Sequence, residues 1–172
     1  MRHVRRGGEY LRIADPAWSN PLSPEYARRR GGRWNPPGSF GVVYLNASME
    51  VARAQLRHKL EPRGIRPEDL EPDHGPVLVH TEVPPDRYVD AISEEGLVAL
   101  GLPSTYPLDD GGRPIQHAEC QPIGQQAWDA GERGIACRST AGTAPPDAEE
   151  LAFFARQALK RRGTDRFVDW YW

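Results

Sequence analysis

The chain has 172 residues, 38% hydrophobic and 27% charged, with a formal net charge of −2. That composition fits one folded domain over residues 1–172 and excludes disordered and collagen-like classes. No apolar run approaches ~18 residues, which excludes a membrane-spanning helix. Seventeen prolines and seventeen glycines call for short elements and many loops.

The N-terminal stretch is basic and lacks an apolar core, so it does not read as a secretory leader, and the cytoplasm is the expected compartment. Residues 1–33 hold eight arginines against Glu9, Asp15 and Glu25. Such a segment suits a phosphate-bearing ligand or nucleic acid, although no nucleic-acid reading motif accompanies it. EYLRIA (9–14) predicts a short strand, followed by a proline-rich loop to residue 32. VVYLN (42–46) is the clearest strand, apolar and β-branched. Ser48 is the expected N-cap of a helix through Val51, Ala52, Gln55, Leu56 and Lys59–Leu60, stopped by Pro62 and Gly64.

PVLVHTEV (76–83) and RYVDAI (87–92) predict two further strands, separated by Pro84-Pro85. SEEGLVALG predicts a short helix capped at Ser93, and PIGQQAWDAG (122–131) a longer one ending at Gly131. GIACRS (134–139) predicts a short buried strand. Residues 147–160 predict the last helix, with Asp147 as N-cap and Glu149 and Glu150 in its first turn, and RFVDWYW a closing strand. Strands and helices mix without strict alternation, so the expected class is α+β. Cys120 and Cys137 give neither a disulfide framework nor metal spacing, and no metal is expected.

GGRWNPPGSFGVVYL (31–45) stands apart from generic core. Arg33 follows two glycines, where backbone can approach a ligand, and its planar fork matches paired phosphate oxygens. Trp34 offers a flat face to a base or a pyridinium ring. Tyr44 and Gln55 follow at intervals of eleven residues, and strand, turn and helix can bring all three around one cleft. A loop arginine in an ion pair, a core tryptophan and a core tyrosine would leave the same trace. His58 and His117 are the histidines to watch, with surface or structural roles expected, and Trp128 is expected in the core.

GGRWNPPG, VVYLN and SMEVARAQL together resemble the RES domain family, the toxins of RES–Xre toxin–antitoxin pairs. LRIAD (11–15), PIGQQAWDAGERGIACRS and EELAFF resemble further blocks of that family in the same order, covering roughly residues 10–160. The resemblance implies an ADP-ribosyltransferase-like fold, with split mixed β-sheets flanked by helices. It also implies NAD as substrate, cleaved between nicotinamide and ribose, with water, phosphate or a protein side chain as acceptor. An Xre-type antitoxin is the implied partner, and family toxins often form homodimers.

Carried over by position, the family's Arg falls on Arg33 and its Ser on Ser139. Its cleft aromatic falls on Tyr44 and a second Arg on Arg12. Arg12 and Arg33 would then hold the diphosphate, Tyr44 and Trp34 would sandwich a ring, and Ser139 would bond the carboxamide or ribose. The family's Glu falls on Gln55, which keeps the shape and loses the charge. That departure opens a second reading, a nucleotide-binding module without turnover. Deciding between the two requires knowing whether another carboxylate enters the pocket. Glu50 lies off Gln55's helical face, while Glu149 and Glu150 are open to either cleft or cap.

Overall fold

The computed structural model describes residues 1–145 and 147–172. Six strands form one mixed sheet. β1 (His3–Ala14) runs antiparallel to β3 (Val77–Ala91) over nearly its whole length, and touches β2 (Val42–Asn46) only at Leu11–Asn46. β5 (Glu149–Phe154) lies between β2 and β4 (Gly134–Arg138), antiparallel to both. β4 is parallel to β3, and β6 (Arg161–Asp165) pairs with the other edge of β3. The strands expected as split sheets thus belong to one sheet that closes back on itself through β1.

The class is α+β, as expected, with helices packed around the sheet. α1 (Glu25–Arg30) occupies part of the loop expected over 15–32. α2 (Met49–Leu60) starts at Ser48, whose side chain accepts from the Val51 N–H at 3.3 Å, and it buries Val51, Ala52, Ala54, Leu56 and Leu60. α3 (Glu94–Ala99) is capped by Ser93. α4 (His117–Asp129) begins five residues before the expected start. Gln116 and Glu119 cap it reciprocally there, so Pro122 falls inside the helix instead of opening it.

Two expectations are corrected at the C-terminal end. Residues 147–160 do not form a helix; they supply β5 and the approach to β6. Leu151 and Phe153 pack on one side of β5, and Ala152 and Phe154 on the other. A run buried on both faces is a central strand, and it shows no helical stripe. RFVDWYW is not a strand either. Its core is α5 (Phe167–Trp170), because Phe167, Trp170 and Tyr171 cluster at helical spacing against Leu56 and Leu78.

β3 also runs unbroken through Pro84 and Pro85, where two strands were expected. The register slips opposite them, between Arg6 and Gly8, and this bulge frees the prolines from ladder bonds they cannot donate.

Candidate active site

The alternation of β2, β4 and β5 sets one wall of a cavity. Tyr44 lies on the same face as Val42, Cys137 as Ile135, and Glu150 as Ala152 and Phe154. Cys137 and Glu150 are direct cross-strand neighbours, and so are Asn46 and Glu150. α2 covers this corner and aims Gln55 at it. A cavity of about 490 Å³ results, bordered by Arg12, Arg33, Tyr44, Gln55, Thr140 and Glu150 among others. That volume lies in the ordinary range for small-molecule sites.

The Arg-Trp stretch is held by its neighbours. The Tyr44 hydroxyl accepts from the Trp34 N–H at 2.9 Å and donates to Asn35 Oδ1 at 2.8 Å. Asn35, fully buried, donates in turn to the carbonyls of Ala27 (2.8 Å) and Phe40 (3.3 Å). A Cβ on Gly32 would stand 2.5 Å from the Tyr44 hydroxyl, so the loop crosses the ring at a distance only glycine permits. On its other side the loop meets α4. A Cβ on Gly124 would stand 1.7 Å from the Trp34 carbonyl oxygen, and Gln121 donates to the Gly32 carbonyl at 3.0 Å. The early and late sequence blocks therefore form one packed unit.

Within it, Arg33 donates to the Ile115 carbonyl at 2.9 Å and contacts Cys120 Sγ at 3.8 Å. No carboxylate forms an ion pair with it among the described residues, which leaves its remaining N–H groups available to the cavity. His117, at the start of α4, borders the same space. Burial and the nearby Arg33 charge hold its imidazole below the usual value, so it is neutral at pH 7. Burial also pushes the Tyr44 phenol and the Cys137 thiol well up, and both stay protonated.

Gln55 is the hub of the polar corner. Its Nε2 donates to Ser139 Oγ and Thr140 Oγ1, each at 3.3 Å, and to Glu150 Oε1. Glu150 Oε1 also accepts from the Thr140 N–H at 3.0 Å. Gln55 Oε1 and Glu150 Oε2 have no hydrogen-bond partner among the described residues. A carboxylate therefore stands beside the glutamine, on a strand where a helix was expected. Two-sided burial of LAFF was the sequence feature able to place it.

Of the six positions singled out from sequence, Arg12, Arg33, Trp34, Tyr44 and Gln55 border the one cavity. Trp34 was expected to present a stacking face. Its side chain is fully buried, with the ring 6.0 Å from that of Tyr106 in the core, so it backs the wall instead. Ser139 is buried at the end of β4 and meets the cavity through Gln55, while its neighbour Thr140 borders the space directly. His58 borders the cavity too, and Trp128, expected in the core, is half-buried at its edge, where it stacks on Phe40 at 4.6 Å. Among the described residues no cluster of His, Cys, Asp or Glu is arranged to hold a metal ion, and no helix is long and apolar enough to cross a membrane.

Comparison with known proteins agrees with this architecture. The chain is similar to the NAD(+) phosphorylase MbcT of Mycobacterium bovis and of Mycobacterium tuberculosis, 27% identical over 127 residues. The match spans 73% of this chain and 64% of the relative, less than two thirds of its length. The fold is similar to the crystal structure of the M. tuberculosis MbcT–MbcA toxin–antitoxin complex. There the TM-score is 0.78 at 20% identity, covering 98% of this chain and 91% of the other. The RES domain model matches residues 3–170, and the chain belongs to the RES domain family.

Proposed function

We propose that this chain consumes NAD by cleaving the bond between nicotinamide and ribose, with phosphate as acceptor, and acts as the toxin of a toxin–antitoxin pair. The observation that carries the reading is the Glu150 carboxylate beside Gln55, in a cavity that Arg33, Arg12 and Tyr44 also border. The family membership and the name of the similar MbcT phosphorylase support the same reaction.

When the C–N bond breaks, its electron pair leaves with nicotinamide, which becomes neutral. The ribose C1 becomes electron-poor until a phosphate oxygen bonds to it. A carboxylate close by stabilises that charge. In this reading Glu150 supplies the charge through its free Oε2, and it also fixes the Gln55 amide so that Oε1 faces the ribose hydroxyls as an acceptor. Ser139 and Thr140 accept from the same amide nitrogen and help to hold it. Tyr44 positions the loop that carries Arg33, and Arg33 gives its spare donors to the substrate's phosphates or carboxamide. In this reading the protein acts on the cytoplasmic NAD pool, and an antitoxin covers the cleft until it is removed.

Product analysis by phosphorus NMR tests the proposal. Incubation with NAD and phosphate is expected to yield free nicotinamide and a phosphorylated ADP-ribose. ADP-ribose formed equally without phosphate would make water the acceptor. Because Gln55 is neutral, a second reading stands beside this one, a nucleotide-binding module without turnover. NAD bound and recovered intact would establish it.

A further inference from the structure

The basic side of the cavity runs from Arg12, on which the family resemblance places the diphosphate, to Lys59, Trp18 and Tyr26, which the chemistry above leaves unused. Arg12 is only 9% exposed, yet its guanidinium has a single hydrogen bond, to the Ser23 carbonyl at 3.3 Å, and forms no ion pair among the described residues. Lys59, at the exposed end of α2, borders the same space and is likewise unpaired. Burial lowers Arg12 to about 10. A buried guanidinium without an ion-pair partner, as at Arg12, is costly to fold unless an anion arrives to offset it.

Beside these cations lies uncovered aromatic surface. Trp18 is 39% exposed and Tyr26 59%, with their rings stacked at 6.4 Å. The Arg12 guanidinium sits 5.8 Å from the Trp18 ring centroid. Trp18 and Tyr26 border a side extension of about 200 Å³ together with Arg12, Lys59, Gln55 and Glu150, so it opens from the same corner.

We infer that the Trp18–Tyr26 pair takes the adenine ring of the dinucleotide, and that Lys59 joins Arg12, the residue the resemblance already gives to the diphosphate, in holding the phosphates. The inference rests on the proposed NAD reading and gives the substrate a direction. Its reacting ribose lies at Gln55 and Glu150, its phosphates at Arg12 and Lys59, and its base at the open aromatic end. A larger neighbouring lobe of about 680 Å³ shares His58 and Thr140 with the cavity. That lobe suits phosphates less well. Glu61 and Glu68 line it, its Arg66 is paired with Asp69, and its Arg57 is bonded to the Tyr171 hydroxyl, which donates to Glu68.

ADP, which lacks the nicotinamide half, is the probe, and its binding to the intact chain is measured by calorimetry. Lys59→Gln and Tyr26→Ala act on exposed side chains, and each is expected to weaken ADP binding on the order of tenfold. Ile65→Ala, in the larger lobe, is expected to leave it unchanged. Nicotinamide mononucleotide is expected to bind the Tyr26→Ala variant as it binds the parent chain. No ADP binding, binding indifferent to both variants, or binding weakened by Ile65→Ala alone would overturn the inference. ADP binding without NAD cleavage would leave it standing and remove the proposed reaction. NAD cleavage with ADP binding indifferent to both variants would do the reverse.

Discussion

Glu150→Gln removes a charge and keeps the shape, so it separates chemistry from folding. Two donors, the Gln55 amide and the Thr140 N–H, converge on Oε1. Each bond changes from charge-assisted to neutral, a loss of about 1 kcal/mol apiece. Relief of a half-buried charge offsets part of this, leaving a net cost of about 1 kcal/mol, or ~2–4 °C in Tm for a chain of this size. The reaction loses far more. Removing one preorganised electrostatic contact to the developing positive charge costs ~10²–10³ in kcat, equivalent to about 3–4 kcal/mol. Nicotinamide release at saturating NAD and phosphate measures the first effect and thermal denaturation the second. KM for NAD is expected to change little, because the groups assigned to the phosphates are untouched. A variant with kcat within about threefold of the parent chain would refute the assignment of Glu150.

Other substitutions test the surrounding scaffold. Tyr44→Phe leaves the Trp34 N–H and Asn35 Oδ1 without the hydroxyl that joins them, at a cost of about 2 kcal/mol in urea unfolding. Gly124→Ala drives a methyl group into the Trp34 carbonyl, and is expected to cost about 3 kcal/mol or more and to remove NAD cleavage with it. His80 donates to or accepts from Glu9 at 3.1 Å and Asp165 at 2.8 Å. Burial alone would lower its pKa, but the bonds to Asp165 and Glu9 outweigh it and the net direction is up. Its stabilising contribution is therefore present below its unfolded value of ~6.5 and lost as pH rises through the folded one. His80→Gln is expected to lower Tm at pH 5.5 and leave it unchanged at pH 9, the effect staying under ~1 kcal/mol because the group is partly exposed. An equal loss at both pH values would contradict the pairing.

The sequence was most readable where a local pattern had one structural solution. VVYLN has β-branched residues and a cap that follows it, so β2 and α2 stand where expected, and they carry Tyr44 and Gln55. EELAFF has two solutions. Acids before an apolar run resemble a helix start, and only the surrounding strands, which bury Leu151 and Ala152 on opposite faces, select the strand. With β5 read as a helix, Glu150 had no defined direction, and it stayed open between cleft and helix cap. RFVDWYW was misread for a similar reason, since seven mostly apolar residues fit either period and contacts to α2 and β3 decide. Trp34 was recognisable as unusual, but its burial follows from the approach of Gly124, ninety residues away in the chain. Arg12 stood in a recognised block, whereas Lys59 was read only as a position of the helix that carries Gln55.

The most direct test of the account is the structure of the Glu150→Gln variant with NAD bound. The ribose C1 is expected at the corner formed by Gln55 and position 150, with the diphosphate beside Arg12. NAD seated in the larger lobe along Ile65 and Leu108, away from Tyr44 and position 150, would contradict it.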